Sequence, residues 1–186
     1  NGEYYINPGQ FRDYRGELER SNLFVFVNHE LDNGSEFFAE IGSYNSDYMR
    51  HKEPAGDFST ALLQLGPDYY WMNQIGMTAD NSSSNKAVRI DNWRPDIGPR
   101  VINVEKETYR YLFGLRGTTD SGWDWETAVL HSKATSADLT ENRLSNSLLQ
   151  AGLNDSTSNA INIFDANVAT ALAPAIVDFS RNDTSE

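Results

Sequence analysis

From Tyr109 to Arg116 the chain reads Tyr-Arg-Tyr-Leu-Phe-Gly-Leu-Arg, apolar at every odd position and charged or small at every even one except Leu112. A period of two sends alternate side chains to opposite faces of an extended backbone, so this stretch predicts a β-strand with one apolar and one polar face. The same period recurs in Asn22–Leu31, which carries Leu23-Phe24-Val25-Phe26-Val27. It recurs again from Ser35 to about Tyr48 and from Trp123 to about Ala137. β-branched and aromatic side chains enrich all four, as strands require.

The four segments pair into two hairpins. Asp32-Asn33-Gly34 separates the first two, and Asn-Gly between apolar runs is a strong short-range turn signal. A three-residue turn with Gly34 in the left-handed conformation places Leu31 opposite Ser35, His29 opposite Phe37, Val27 opposite Ala39 and Val25 opposite Ile41. Thr118 to Gly122 joins the third strand, 101–117, to the fourth, 123–137. Setting Gly117 opposite Trp123 pairs Leu115 with Trp125 and Arg116 with Asp124, and cross-strand charge pairs of that kind stabilise sheets.

Against these tight turns stand two long connections, 49–100 and 138–186, each well beyond the usual ~12–15 residues for a loop. The first is rich in Gly, Asn, Ser, Asp and Pro and has no sustained period. The second holds two helix-like stretches, Leu144 to Leu153 and about Ala166 to Ala173. Short turns at one rim and long loops at the other describe an outer-membrane barrel, whose strands need only about 9–11 residues to cross a bilayer. The expected fold is therefore all-β: an antiparallel transmembrane barrel portion of about four strands in two hairpins, with long outer loops carrying short helices.

Composition narrows the function. A net charge of -12, a pI near 4.6 and the lack of any Lys/Arg cluster remove the electrostatic footprint that nucleic acid requires. There are no cysteines, so disulfides, thiolate metal sites and cysteine nucleophiles are excluded. His29, His51 and His131 lie on separate segments without metal-ligand spacing, and Asp155, Asp165 and Asp183 do not match a calcium loop. No Ser sits in a Gly-x-Ser-x-Gly elbow, so neither an enzyme nor a bound cofactor is expected. The loop residues Tyr69, Tyr70, Trp71, Trp93 and Arg94 combine stacking faces with a planar cation, which suits a sugar or aromatic ligand; the competing reading is that they pack the loop against itself.

Several short sequences, in order, resemble those of TonB-dependent outer-membrane receptors. They are Glu19-Arg20-Ser21-Asn22, Val27-Asn28-His29-Glu30-Leu31 and Phe37-Phe38-Ala39-Glu40-Ile41, followed by Gly114-Leu115-Arg116-Gly117, Gly122-Trp123-Asp124-Trp125-Glu126 and Asn142-Arg143-Leu144-Ser145-Asn146. Where family members often carry Asn-Pro-Phe near the end of the following loop, this chain has Asn162-Ile163-Phe164. The resemblance runs from about Tyr14 to the C-terminus.

It implies part of a barrel of about 22 strands that encloses a plug. The plug, the TonB box and a last strand ending in an aromatic are not found in these residues. The resemblance further implies residence in the cell outer membrane and energy-coupled uptake of a scarce nutrient: a siderophore, cobalamin or an oligosaccharide. Its partners would be that ligand, the outer-membrane lipid, and TonB through parts of the receptor not present in these residues.

On the barrel reading, Val25, Val27, Ile41, Tyr109, Tyr111, Phe113, Leu115, Trp123 and Trp125 meet lipid, with the two Trp at the interface beside a short turn. Arg110, Arg116, Asp124, Glu126 and Glu40 then face the lumen. The alternative is a soluble β-sandwich binding module, for a ligand such as carbohydrate, in which the apolar face is a buried core.

Overall fold

The computed structural model describes residues 7–56, 63–76, 88–90, 93 and 95–186. A 3-10 turn at Pro8–Phe11 precedes β1 (Glu17–Glu30) and β2 (Glu36–Lys52). The first long connection holds β3 (Gln64–Leu65), α1 (Tyr70–Gln74) and β4 (Val88–Arg89), and β5 (Arg100–Thr118) and β6 (Asp124–Leu144) follow. The second long connection carries α2 (Asn146–Leu153), α3 (Val168–Leu172) and a 3-10 turn, Ala173–Ala175, which runs into β7 (Ile176–Ser185). Strands make up 53% of the described residues and helices 15%, so they are mostly antiparallel β.

The main sheet is open and has five strands, in the order β1-β2-β5-β6-β7. Four strands were expected; the fifth, β7, lies in the tail read as loop and helix. Its sequence, Ile-Val-Asp-Phe-Ser-Arg-Asn-Asp-Thr-Ser, keeps little apolar alternation, because most of its residues are exposed on both faces. The other strands are also longer than the alternation marks. β6 continues to Leu144 through polar residues that satisfy the ladder's hydrogen bonds without contributing an apolar face.

The first hairpin has the expected register, with Val25 opposite Ile41, Val27 opposite Ala39 and His29 opposite Phe37. Gly34 sits at φ 78, the left-handed conformation that only glycine adopts without strain. Its N–H reaches the Leu31 carbonyl at 2.9 Å. The second hairpin is tighter than expected: the Thr119 N–H donates to the Trp123 carbonyl at 2.8 Å, and Gly122, at φ 86, closes the turn. Gly117 therefore lies by the Trp125 ring rather than opposite Trp123. The shift is by two residues, which leaves every side chain on its expected face.

By contacts the chain divides into two units. One comprises 16–49, 103–139 and 180–186 and contains both tight turns. The other comprises 1–15, 50–102 and 140–179, and it holds an apolar core of its own. Leu63, Tyr69, Leu149, Leu153 and Leu172 are almost fully buried there. The long connections are thus a packed body, which the lack of periodicity did not indicate. Ser145 caps α2 by accepting from the Leu148 N–H, and Asn167 caps α3 by accepting from the Thr170 N–H.

Candidate functional site

In the strand unit, residues directly opposite one another share a face, so Val25, Val27, Ala39 and Ile41 lie together. A Cβ at Gly114 would strike the Phe38 ring, and the Gly42 Cβ position lies beside that of Arg110, which fixes β5 against β2. Tyr111 stacks on His131, with ring centroids 6.3 Å apart, which fixes β6 against β5. These contacts carry the face across four strands through Tyr109, Tyr111, Phe113, Leu115, Trp125 and Val129.

The face is open. Tyr111, Phe113, Leu115 and Trp125 are 37, 43, 37 and 37% exposed, and Trp123, at the turn, is 75% exposed. Fully burying one side chain of this size is worth about 1.5–3 kcal/mol, so a face of this extent left in water forfeits a large part of what would stabilise the sheet. Contiguous apolar patches of that kind mark interaction surfaces.

The opposite face carries charge. Arg110 pairs with Glu40, and Arg116 holds Glu36 through Nη2 at 2.7 Å and Nε at 3.1 Å. The Arg116 guanidinium also lies over the Phe38 ring, 5.5 Å from its centroid. The expected pair between Arg116 and Asp124 does not form: the Thr118 hydroxyl donates to Asp124 at 2.7 Å, and the two-residue shift moves Asp124 past Arg116. Glu126 lies close enough to add to the field at Arg116. Phe24 and Phe26 of the edge strand also fall on this side, so it is mixed rather than uniformly polar.

The aromatic residues singled out in the first long connection belong to the loop unit. Tyr69 is 1% exposed; its hydroxyl donates to the Ile161 carbonyl and accepts from the Ile163 N–H at 3.3 Å. Burial pushes its phenol pKa up from the ordinary value. The Trp71 indole N–H donates to the Ala160 carbonyl at 2.7 Å, and its ring meets Tyr70 edge-on at 5.0 Å. Tyr70, Trp71 and Trp93 pack against the loop core while keeping part of their surface. Arg94 lies outside the described residues.

The structure thus brings Tyr69, Tyr70, Trp71 and Trp93 to one cluster and gives two of them backbone partners from 160–163. Phe164, in the Asn162-Ile163-Phe164 segment, joins them: it is half exposed and tilted against Tyr69 at 6.4 Å. Only its place in that short segment marked it in the sequence.

Ionic clamps order the same unit. Arg12 grips Glu53 through Nη2 at 2.7 Å and Nε at 3.0 Å, and the Arg100 Nε donates to the Glu53 carbonyl. The Arg12 hydrogen bonds, helped by the residue's own backbone N–H, hold the Glu53 carboxyl down at about 2. Asp13 accepts from the His51 backbone N–H at 2.7 Å and from its Nδ1 at 2.9 Å, and the first of these leads in lowering the Asp13 pKa. Among the described residues no three His, Cys, Asp or Glu side chains are grouped to hold a metal, and no helix is long and apolar enough to cross a membrane.

No protein-family model matches the chain, and no curated protein or solved structure matches it.

Proposed function

We propose that the five-stranded sheet is a section of the wall of an outer-membrane β-barrel, and that the barrel is a TonB-dependent receptor taking up a scarce nutrient. The observation that carries the membrane part is the open apolar face itself: Tyr111, Phe113, Leu115 and Trp125 stand exposed in neighbouring strands while Arg110 and Arg116 pair with Glu40 and Glu36 behind them. Water disfavours the first face and hydrocarbon the second, so the sheet suits a boundary between the two. Closure with further strands would pair the open edges of β1 and β7, as every backbone group in lipid requires.

The receptor part rests on the resemblance of the strand sequences and on the contrast between tight turns and long connections. Uptake of a siderophore, cobalamin or oligosaccharide, with TonB supplying the energy, belongs to that part of the proposal. The loop unit is where such a ligand would be met, since binding residues concentrate on loops held by a rigid scaffold. There Tyr70, Trp71 and Phe164 keep aromatic surface in reach of it.

Fractionation of cells expressing the intact protein tests the membrane part. The protein is expected in the outer membrane, resistant to carbonate and high salt and released only by detergent. Recovery as a detergent-free soluble monomer would refute the proposal and favour a β-sandwich binding module.

A further inference from the structure

The two central strands are about twice as long as a bilayer requires, and β1 and β2 also exceed it: β5 has 19 residues, β6 has 21, β2 has 17 and β1 has 14, against the roughly 9–11 of a tilted transmembrane strand. On the outward face the surplus differs chemically from the rest. Starting from the tight turns, β1 presents Leu31, His29, Val27, Val25 and Leu23, and β2 presents Phe37, Ala39, Ile41, Ser43 and Asn45. β5 presents Gly117, Leu115, Phe113, Tyr111 and Tyr109, and β6 presents Trp125, Thr127, Val129, His131 and Lys133. No carboxylate occurs among these positions. The first carboxylates lie just beyond: Glu107 and Glu105 on β5, Asp47 on β2, and, after Ser21, Glu19 and Glu17 on β1.

The register makes this a level rather than three coincidences. Glu19 is directly opposite Asp47, and Leu23 is opposite Ser43. Glu17, Glu19, Asp47 and Glu105 border one shallow depression together with Asn103. The stacking of Tyr111 on His131 puts Tyr109 near Lys133, whose ammonium reaches Glu186 at 3.2 Å. Tyr109 and Tyr111 lie at one end of the apolar zone, and Trp123 and Trp125 at the other. Amphipathic aromatic rings favour the two headgroup levels, and a lysine at such a level can extend its amine out of the hydrocarbon. Beyond the level, apolar residues such as Met49 and Leu139 are isolated among polar neighbours.

We infer, resting on the membrane reading above, that lipid covers only the turn-proximal half of this face, from the tight turns to the level of Leu23, Ser43, Tyr109 and Lys133, and that the distal half stands in water. The boundary passes between Tyr109 and Glu107. Glu105, Glu107, Asp47 and Glu19 then keep their hydration, and the zone below them matches the span of a tilted strand without distortion of the bilayer.

The chain contains no cysteine of its own, so once any cysteine elsewhere in the intact protein is replaced, single-cysteine variants carry a nitroxide at one known place. Asn103, Glu105, Glu107, Tyr109, Tyr111, Phe113 and Leu115 all point to the same side of β5. Each is replaced by Cys in the intact protein, reconstituted in lipid, and its collision with oxygen is compared with that of a water-soluble nickel chelate. The expected profile is a step, chelate-accessible at 103, 105 and 107 and oxygen-accessible from 109 to 115. Oxygen preference continuing through 105 and 103 would overturn the boundary while leaving the membrane reading intact. Chelate preference at all seven would overturn both.

A second comparison guards against variants that do not fold. Glu105→Lys is expected to leave the amount of protein assembled in the outer membrane unchanged, whereas Phe113→Lys is expected to reduce it about tenfold or more. Equal losses from the two substitutions would also overturn the boundary.

Discussion

Arg116 holds Glu36 by two parallel hydrogen bonds, at 2.7 and 3.1 Å, and so locks β5 to β2 beside both tight turns. The pair fixes those turns on one rim, since Glu36 follows the first and Arg116 precedes the second. Both side chains keep contact with water, so the attraction is screened, and its main effect is on register. Glu36→Lys alone is expected to lower the denaturant midpoint by setting like charges side by side. The double change Glu36→Lys with Arg116→Glu restores most of the loss. Equal destabilisation by the single and double changes, measured by unfolding in detergent micelles, would show that the pair does not hold the strands in register.

Gly114 gives the same junction its shape. A Cβ there would collide with the tip of the Phe38 ring, which is itself buried beneath Arg116. Gly114→Ala is expected to cost about 1–3 kcal/mol through overpacking. Phe38→Ala in the same chain should remove the collision, so the two changes are predicted to be strongly non-additive. Simple additivity in a double-mutant cycle would contradict the contact.

Tyr69 holds the loop unit from inside. Tyr69→Phe leaves the Ile161 carbonyl and the Ile163 N–H without their hydroxyl partner, a loss of about 1–3 kcal/mol for buried groups. Limited proteolysis should then cut the 145–175 connection faster while leaving the two hairpins intact. The phenol's pKa is raised in the folded chain, so its contribution is complete below the ordinary tyrosine value of 10.0 and is lost as pH rises beyond it. An unchanged cleavage rate in the variant would show that the hydroxyl carries no such load.

Acid acts on the loop unit through Glu53. Its carboxyl is held down at about 2, against an ordinary 4.5, by Arg12. A depressed folded-state pKa stabilises above the unfolded value, and that contribution is lost as pH falls from about 4.5 toward 2. Asp13, lowered chiefly by the His51 backbone N–H, adds a loss of the same sign below its ordinary value. Glu53→Gln is predicted to flatten the pH dependence of loop protection across that interval, read by hydrogen exchange. A profile unchanged by the substitution would remove Glu53 from the account.

The legible parts of this fold were those in which a local period coincides with a face. Val25, Val27, Ala39 and Ile41 alternate and are held by a turn whose glycine sets the register, so the first hairpin could be read residue by residue. At Thr118 to Gly122 the alternation was read correctly but the register was two residues out. Alternation defines faces and not levels, and the turn is closed by the Thr119 N–H and the Trp123 carbonyl, which no side-chain pattern reports. β7 escaped because a polar strand at a sheet edge has no apolar face to betray it.

The loop core escaped for another reason. Leu63, Tyr69, Leu149 and Leu172 come together over long sequence separations, and nothing local marks them as neighbours. Of the aromatic candidates, Tyr69 is a buried anchor and Trp71 is pinned through its indole N–H, while Phe164 entered the cluster only once the chain was folded.

The central claim is that one face of β5 meets lipid and the other does not. Residues 110 to 116, replaced one at a time by Cys in the intact protein in its own membrane, can be probed with a water-soluble maleimide and with a lipid-soluble one. The account predicts a strict alternation: positions 111, 113 and 115 react from lipid and are protected from the water-soluble reagent, while 110, 112, 114 and 116 show the reverse or no reaction. Uniform reaction of 111, 113 and 115 with the water-soluble reagent would contradict it.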